Sequence, residues 1–156
     1  MTAVIETYST EDTYLCGEQF GKQSNSGDLY ALMGDLGVGK TVFAQGFAAG
    51  LLIQEPIVSP TFTILHIYEQ GRLSFYHFDC YRIIDDSEME DLGYEEYFYG
   101  NGVCLVEWSE QIRSLLPENT RFVSIKKDLS KGENYRLIQV TDTVMHPVQR
   151  KANVEG

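Results

Sequence analysis

"LYALMGDLGVGKTVF", residues 29–43, holds an apolar pentapeptide, a glycine-studded loop and the start of a segment that stays apolar to Leu52. Five apolar residues ending at a loop are the pattern of a buried strand. From Lys40 to Leu52 apolar residues occupy nearly every side, which suits a helix packed deep against a sheet. Between the two, Gly34-x4-Gly39-Lys40-Thr41 matches the phosphate-loop pattern without a mismatch, in the strand-loop-helix setting the pattern requires. Its glycines let successive backbone N–H groups turn inward as an anion nest. The positive end of the helix dipole points at the same spot. Asp35, Leu36, Gly37, Val38 and Gly39 are therefore expected to wrap the phosphates of a nucleotide. Lys40 should reach the β- and γ-phosphate oxygens, and Thr41 should offer its hydroxyl to magnesium.

The segments on either side suit one α/β domain. Ser9 caps a first helix over "TEDTYLCGEQFGKQ", with acids in its opening turn and the polar stretch "SNSGD" after it. "PIVSPTFTILHIYEQGRLSFYHFDCYRI" is rich in β-branched and aromatic residues, and a Gln70-Gly71 turn divides it into a hairpin. "DDSEMEDLGYEEYFYG" reads as helix with a glycine interruption. "GVCLVEW", residues 102–108, is a second continuous apolar strand, followed by a helix "SEQIRSLL" that Pro117 ends. "RFVSIKKD" and "YRLIQVTD" alternate about a Ser/Lys/Gly turn and form a second hairpin. The expected architecture is a three-layer P-loop NTPase fold over residues 1–146. Its sheet is mostly parallel and extended by antiparallel hairpins, and residues 147–156 form a frayed tail.

Composition narrows the function. The chain has 156 residues, 43% hydrophobic and 22% charged, and a formal charge of −11. That length fits a single domain, and that charge argues against nucleic acid as a directly gripped ligand, since phosphate contacts need a basic surface. It leaves room for nucleic acid handled through a partner. Residues 83–112 hold nine acids and no Lys or Arg, whereas eight of the twelve bases fall between Arg113 and Lys151. The acidic stretch is either a solvated face or a docking surface for a basic partner. Cys16, Cys80 and Cys104 are far apart, odd in number and without a CxxC pair. Neither a zinc site nor a disulfide framework is expected, and reduced thiols in a cytoplasmic protein are. No signal-like leader and no run of membrane-spanning length is visible in the sequence.

A phosphate-bound magnesium needs an acid beside it, and such an acid sits at the C-terminal end of a buried parallel strand. Glu107 follows four apolar residues, the pattern of a central strand. Asp79 follows "LSFYHF", broken by Ser74 and His77, more like a strand exposed on one face. Glu107 is thus the better magnesium-side acid, and Asp79 the one to orient water or a magnesium-bound water. Between loop and acids lies "SPTFT", where Thr61 either senses the γ-phosphate like a switch or belongs to a turn fixed by Pro60. Trp108, the sole tryptophan, is either core or a wall of the site. His77 reads as a satisfied strand histidine, with no second His or Cys at metal spacing. The absence of an NKxD motif favours ATP over GTP. No arginine finger is evident in cis, Arg82 being a weak candidate.

With "GDLGVGKT", "SPTFTI", "YHFDCYR", "EDLGYEEYF" and "VCLVEWSEQI" in that order, the chain resembles the TsaE (YjeE) family over about residues 7–140. These are bacterial ATPases of tRNA threonylcarbamoyladenosine biosynthesis. The resemblance implies a small P-loop fold using ATP and Mg2+. It also implies work alongside TsaD-like and TsaB-like proteins, which install the threonylcarbamoyl group on the adenosine next to the anticodon, so that tRNA is met only indirectly. It places Lys40 and Thr41 at the phosphates and magnesium, Thr61 and Asp79 in the active site, and Glu107 with Trp108 at its "VEW" end. It also puts Ser9 near the bound nucleotide. Val38 stands where alanine is usual and Cys80 where an aliphatic residue is common, and neither touches a chemical role.

The expected activity is Mg-dependent ATP hydrolysis, slow alone and controlled by partners. Two rivals stay open. A small-molecule kinase would use the same loop with Asp79 as base, although no Arg-rich lid segment follows the core. An ATP-sensing adaptor would switch through "SPTFT" without hydrolysis.

Overall fold

The two continuous apolar runs become neighbouring central strands. The computed structural model describes residues 2–60 and 62–142. Its strands are β1 (Ala3–Thr7), β2 (Leu29–Met33), β3 (Leu65–Tyr68), β4 (Phe75–Asp79), β5 (Val103–Glu107), β6 (Arg121–Lys127) and β7 (Arg136–Thr141). Its α-helices are α1 (Thr10–Gln23), α2 (Lys40–Gly50), α3 (Ser87–Leu92) and α4 (Tyr94–Phe98). All seven strands form one sheet in the order β1-β7-β6-β2-β5-β4-β3. β6, β2, β5 and β4 run parallel in the middle. The β3–β4 and β6–β7 pairings are the two expected hairpins, and with β1 they make the antiparallel edges. The expected tail from Pro147 lies outside the described residues, as does Thr61.

The strands' side chains alternate between two cores. Tyr30, Leu32, Phe75, Val103 and Leu105 pack with Phe43 and Phe47 of α2 on one face. Leu29, Phe78, Cys104 and Val106 pack with Met89, Tyr94 and Phe98 of α3 and α4 on the other. Helices therefore cover both faces of a mixed α/β sheet. Strands buried on both sides must read as unbroken apolar runs, as β2 and β5 do.

Three features depart from expectation. β1 goes unannounced in the sequence, because an edge strand with residues 3–6 largely outside the core carries little periodic signal. It pairs antiparallel with β7, from Ala3↔Val140 to Thr7↔Arg136. "SEQIRSLL" forms 3-10 turns over Ser109–Leu115, broken at Ile112 (φ −131°, ψ 32°), in place of an α-helix. Trp108 enters them at φ +56° and Pro117 follows closely, leaving too few residues to repay helix nucleation. β4 is covered on both faces, where an exposed face was expected. Phe75 lies against Phe47 (ring centroids 5.6 Å apart), and Phe78 against Phe98 (5.1 Å).

The helix that follows the loop is held by close backbone packing. A Cβ added at Gly46 or Gly50 of α2 would lie 2.0 Å from Tyr14 O or 2.2 Å from Glu18 O of α1. Gly17 and Gly21 of α1 would collide in turn with Phe43 O and Phe47 O at 2.2 and 2.1 Å. The obstacles are backbone atoms, so the helices would have to part. One guanidinium nitrogen of Arg72 also donates to the carbonyls of Gly21, Lys22 and Ser24 at 2.7–2.8 Å, closing the C-terminus of α1. At an open helix position Gly→Ala stabilises by about 1 kcal/mol. Gly46→Ala is expected to do the reverse, costing about 1–3 kcal/mol and lowering Tm by roughly 5–10 °C. A thermal melt checks it, and an unchanged or raised Tm would refute the close packing of α1 on α2.

Candidate functional site

β2 ends at Met33 and the chain turns through the loop into α2, whose first residue is Lys40. Gly39 sits at φ +114° and Gly37 at φ +76°, conformations that side-chain-bearing residues avoid. At Gly34 a Cβ would press on Ile125 O at 2.8 Å, so the loop's first glycine is needed for its approach to β6. The loop is braced from outside as well. Arg136 Nε donates to Val38 O at 2.6 Å, and Arg136 Nη1 donates to Tyr135 O at 2.7 Å and Glu133 O at 3.0 Å.

Over the loop opens a pocket of about 390 Å³ lined by Leu36, Gly37, Gly39, Lys40, Thr41, Ser59, Asp79, Tyr81, Glu107 and Trp108. Eight of the residues proposed from sequence, both acids among them, thus meet in one place. Lys40 is only 6% exposed. Its Nζ donates to Gly34 O at 2.7 Å and stands 4.1 Å from the centre of the Trp108 ring. The indole is therefore a wall of the site, settled against Tyr81 at 4.8 Å.

The acids enter from adjacent strand ends. Asp79 and Glu107 are direct register partners on parallel β4 and β5, and each is about 5% exposed. Asp79 Oδ1 accepts from Tyr81 N at 3.0 Å and Oδ2 from Ser59 Oγ at 3.2 Å. Through Ser59 the "SPTFT" segment is tied to Asp79, although Thr61 itself lies outside the described residues. Glu107 Oε2 accepts from His77 Nε2 at 2.7 Å. His77 differs from expectation: it is only half satisfied, since its buried Nδ1 has no hydrogen-bond partner.

The remaining expected residues surround the loop. Val38, 2% exposed, is a core residue whose carbonyl serves the loop. Asp35 lines a hollow of about 790 Å³ on the other side, with Ser124, Lys126 and Lys127. Ser9 caps α1, its Oγ accepting from Asp12 N at 3.0 Å. Its neighbour Thr10 is the residue that reaches a third hollow, of about 220 Å³, with Thr13, Gly37, Val38, Gly39, Val42, Asn134 and Arg136. Ser59, Tyr81 and Arg136 escaped the sequence reading. Only Ser59, inside the hydroxyl-rich segment, had a legible signal; Arg136 sits 98 residues from the carbonyl it holds.

A hydroxyl and two carboxylates make a hard oxygen donor set, which suits magnesium carried in on phosphates and retaining several waters. The cysteines do not enter the chemistry. Burial pushes Cys16 up to about 11. Burial and the neighbouring Asp79 push Cys80 up to about 12, and burial also raises Cys104. All three stay protonated thiols. No helix among the described residues is long and apolar enough to cross a membrane.

Known proteins resemble this chain in sequence and fold. The family model described as "Threonylcarbamoyl adenosine biosynthesis protein TsaE" matches residues 7–137. The tRNA threonylcarbamoyladenosine biosynthesis protein TsaE of Bacillus subtilis is 44% identical over 135 residues, 86% of this chain and 82% of that protein. Its counterpart from Treponema pallidum is 45% identical over 118 residues, 76% of this chain and 87% of that one. The crystal structure of Bacillus subtilis YdiB superposes with a TM-score of 0.79 at 37% identity, covering 92% of this chain and 86% of YdiB.

Proposed function

This chain belongs to the TsaE family and acts in tRNA threonylcarbamoyladenosine biosynthesis, and we propose that it does so as a magnesium-dependent ATPase with a P-loop fold. The observation that carries the reading is the convergence of Lys40, Thr41, Asp79 and Glu107 on one pocket. The phosphates lie in the loop from Asp35 to Gly39, against its inward N–H groups. Lys40 leaves the Gly34 carbonyl for the β- and γ-phosphate oxygens, exchanging one neutral acceptor for charged ones. Thr41 and Glu107 would hold magnesium, which when bound would neutralise charge on the phosphate oxygens. Asp79, fixed by Ser59 and Tyr81, orients the attacking water. Thr61 senses the γ-phosphate. The hollow at Thr10, Asn134 and Arg136, which shares Gly37 and Gly39 with this pocket, would offer room for base and ribose.

Hydrolysis is slow in the isolated protein. Arg82 lies over the Phe62 ring at 4.7 Å, and Arg136 holds the loop from behind, so neither is placed as an arginine finger. TsaD-like and TsaB-like partners set the turnover, and tRNA is met through them. The setting is the cytoplasm, in keeping with three unpaired buried thiols.

Phosphate release measured with and without the partner pair tests the reading. The expected result is slow release of inorganic phosphate from ATP alone and a marked acceleration with the partners. A phosphorylated acceptor without free phosphate would replace the ATPase with a kinase. Intact tRNA modification without any phosphate release would replace it with a sensing adaptor.

A further inference from the structure

We propose that His77 is a positioning residue for Glu107, holding its carboxylate in the one orientation that serves the magnesium side of the pocket. The inference rests on the ATPase reading above.

His77 lies two residues before Asp79 on β4, so both point to the α2 face of the sheet. Its register partner on β5 is Leu105, which makes Glu107 its diagonal neighbour on the same face. The contact spans 2.7 Å between Nε2 and Glu107 Oε2. Both residues are nearly closed to solvent, with side chains 2% and 6% exposed. With the carboxylate accepting, Nε2 carries the hydrogen and Nδ1 keeps a lone pair. Below the imidazole lies apolar core: the Phe75 ring is stacked on it at 5.6 Å and 14°. His77 is thus the last layer between the aromatic core and the charged site.

Its placement costs stability. A buried polar atom without a partner is unfavourable, and Nδ1 is such an atom. Phenylalanine would fill the same layer and stack on Phe75 without an unpartnered ring nitrogen. What imidazole supplies, and an apolar ring cannot, is one donor aimed at Oε2. That donor removes the rotational freedom of a carboxylate on a flexible side chain and leaves Oε1 to face the pocket. Carboxylates near metals are commonly oriented in this way, and losing the orienting partner costs about 10–100-fold in metal affinity or activity.

The test compares His77→Phe, which keeps the ring and removes the donor, with His77→Gln, whose amide nitrogen reaches about as far as Nε2. Magnesium is titrated against binding of a non-hydrolysable ATP analogue, read by Trp108 fluorescence, with a thermal melt on each variant. His77→Phe is expected to keep a cooperative melt, bind the analogue without magnesium as the wild type does, and need about tenfold more magnesium for half-saturation. His77→Gln should recover most of that loss. Should His77→Phe fail to melt cooperatively, His77→Gln decides alone: a near-wild-type magnesium midpoint supports the proposal. A wild-type midpoint in His77→Phe would overturn it, and so would an equal loss in the two folded variants. Glu107→Gln, measured alongside, separates the levels. If it shifts the midpoint and His77→Phe does not, His77 is core alone. If Glu107→Gln also has no effect, the assignment of the metal side has failed.

Discussion

Lys40→Ala is expected to lower nucleotide affinity or turnover by at least about 100-fold while leaving the protein folded. The loss follows from two charge-assisted contacts, to the β- and γ-phosphates, each worth about 1.5–3 kcal/mol. The fold survives because the lysine's present partners are local, Gly34 O at the head of the loop and the Trp108 ring. Trp108 supplies the readout in the native protein: Lys40 stands 4.1 Å from its ring, and binding of Mg2+ and ATP is expected to move that charge. Fluorescence titration gives affinity, phosphate release gives turnover, and a thermal melt controls for folding. ATP hydrolysis at the wild-type rate in a folded Lys40→Ala protein would refute the phosphate-loop assignment.

The second large effect distinguishes the two acids. Glu107→Gln preserves size and removes the charge, so the magnesium requirement for nucleotide binding should rise by about 10–100-fold and turnover should fall with it. Asp79→Asn should lower turnover by about 100-fold or more, the range for a group that positions or activates water, with a smaller change in magnesium-dependent binding. The environments support this division. Asp79 has both oxygens engaged, by Tyr81 N and Ser59 Oγ, as suits a group held in one attitude toward a water. Glu107 has Oε2 engaged by His77, with Oε1 left for the pocket. A larger loss of magnesium dependence in Asp79→Asn would exchange the two roles. Unchanged turnover in both variants would remove hydrolysis from the proposed function.

The site was legible to the extent that its chemistry is local. A phosphate-binding loop needs its glycines, lysine and hydroxyl residue within eight consecutive positions, because adjacent N–H groups and one side chain must reach the same phosphates, and residues 34–41 have that pattern. Strand ends were legible for a similar reason: an acid after an unbroken apolar run has to emerge at the end of a buried strand, and Glu107 does. Long-range partners were not. Arg136 on Val38 O, Arg72 on the end of α1 and Ser59 on Asp79 join residues 98, about 50 and 20 positions apart. Nothing in the sequence near one member announces the other.

Local chain chemistry, then, determined by itself the glycine-rich loop, the strands and helix that carry it, both hairpins and the two candidate acids. Each rests on apolar periodicity or on residue types required at neighbouring positions. Tertiary packing alone decided the rest. It covered β4 on both faces, because aromatic rings from α2 and α4 close over it. It turned "SEQIRSLL" into 3-10 turns and drew β1 onto the edge of β7. It also set His77 beneath Glu107, since a diagonal contact between two strands exists only once their register is fixed, and register is a property of the assembled sheet.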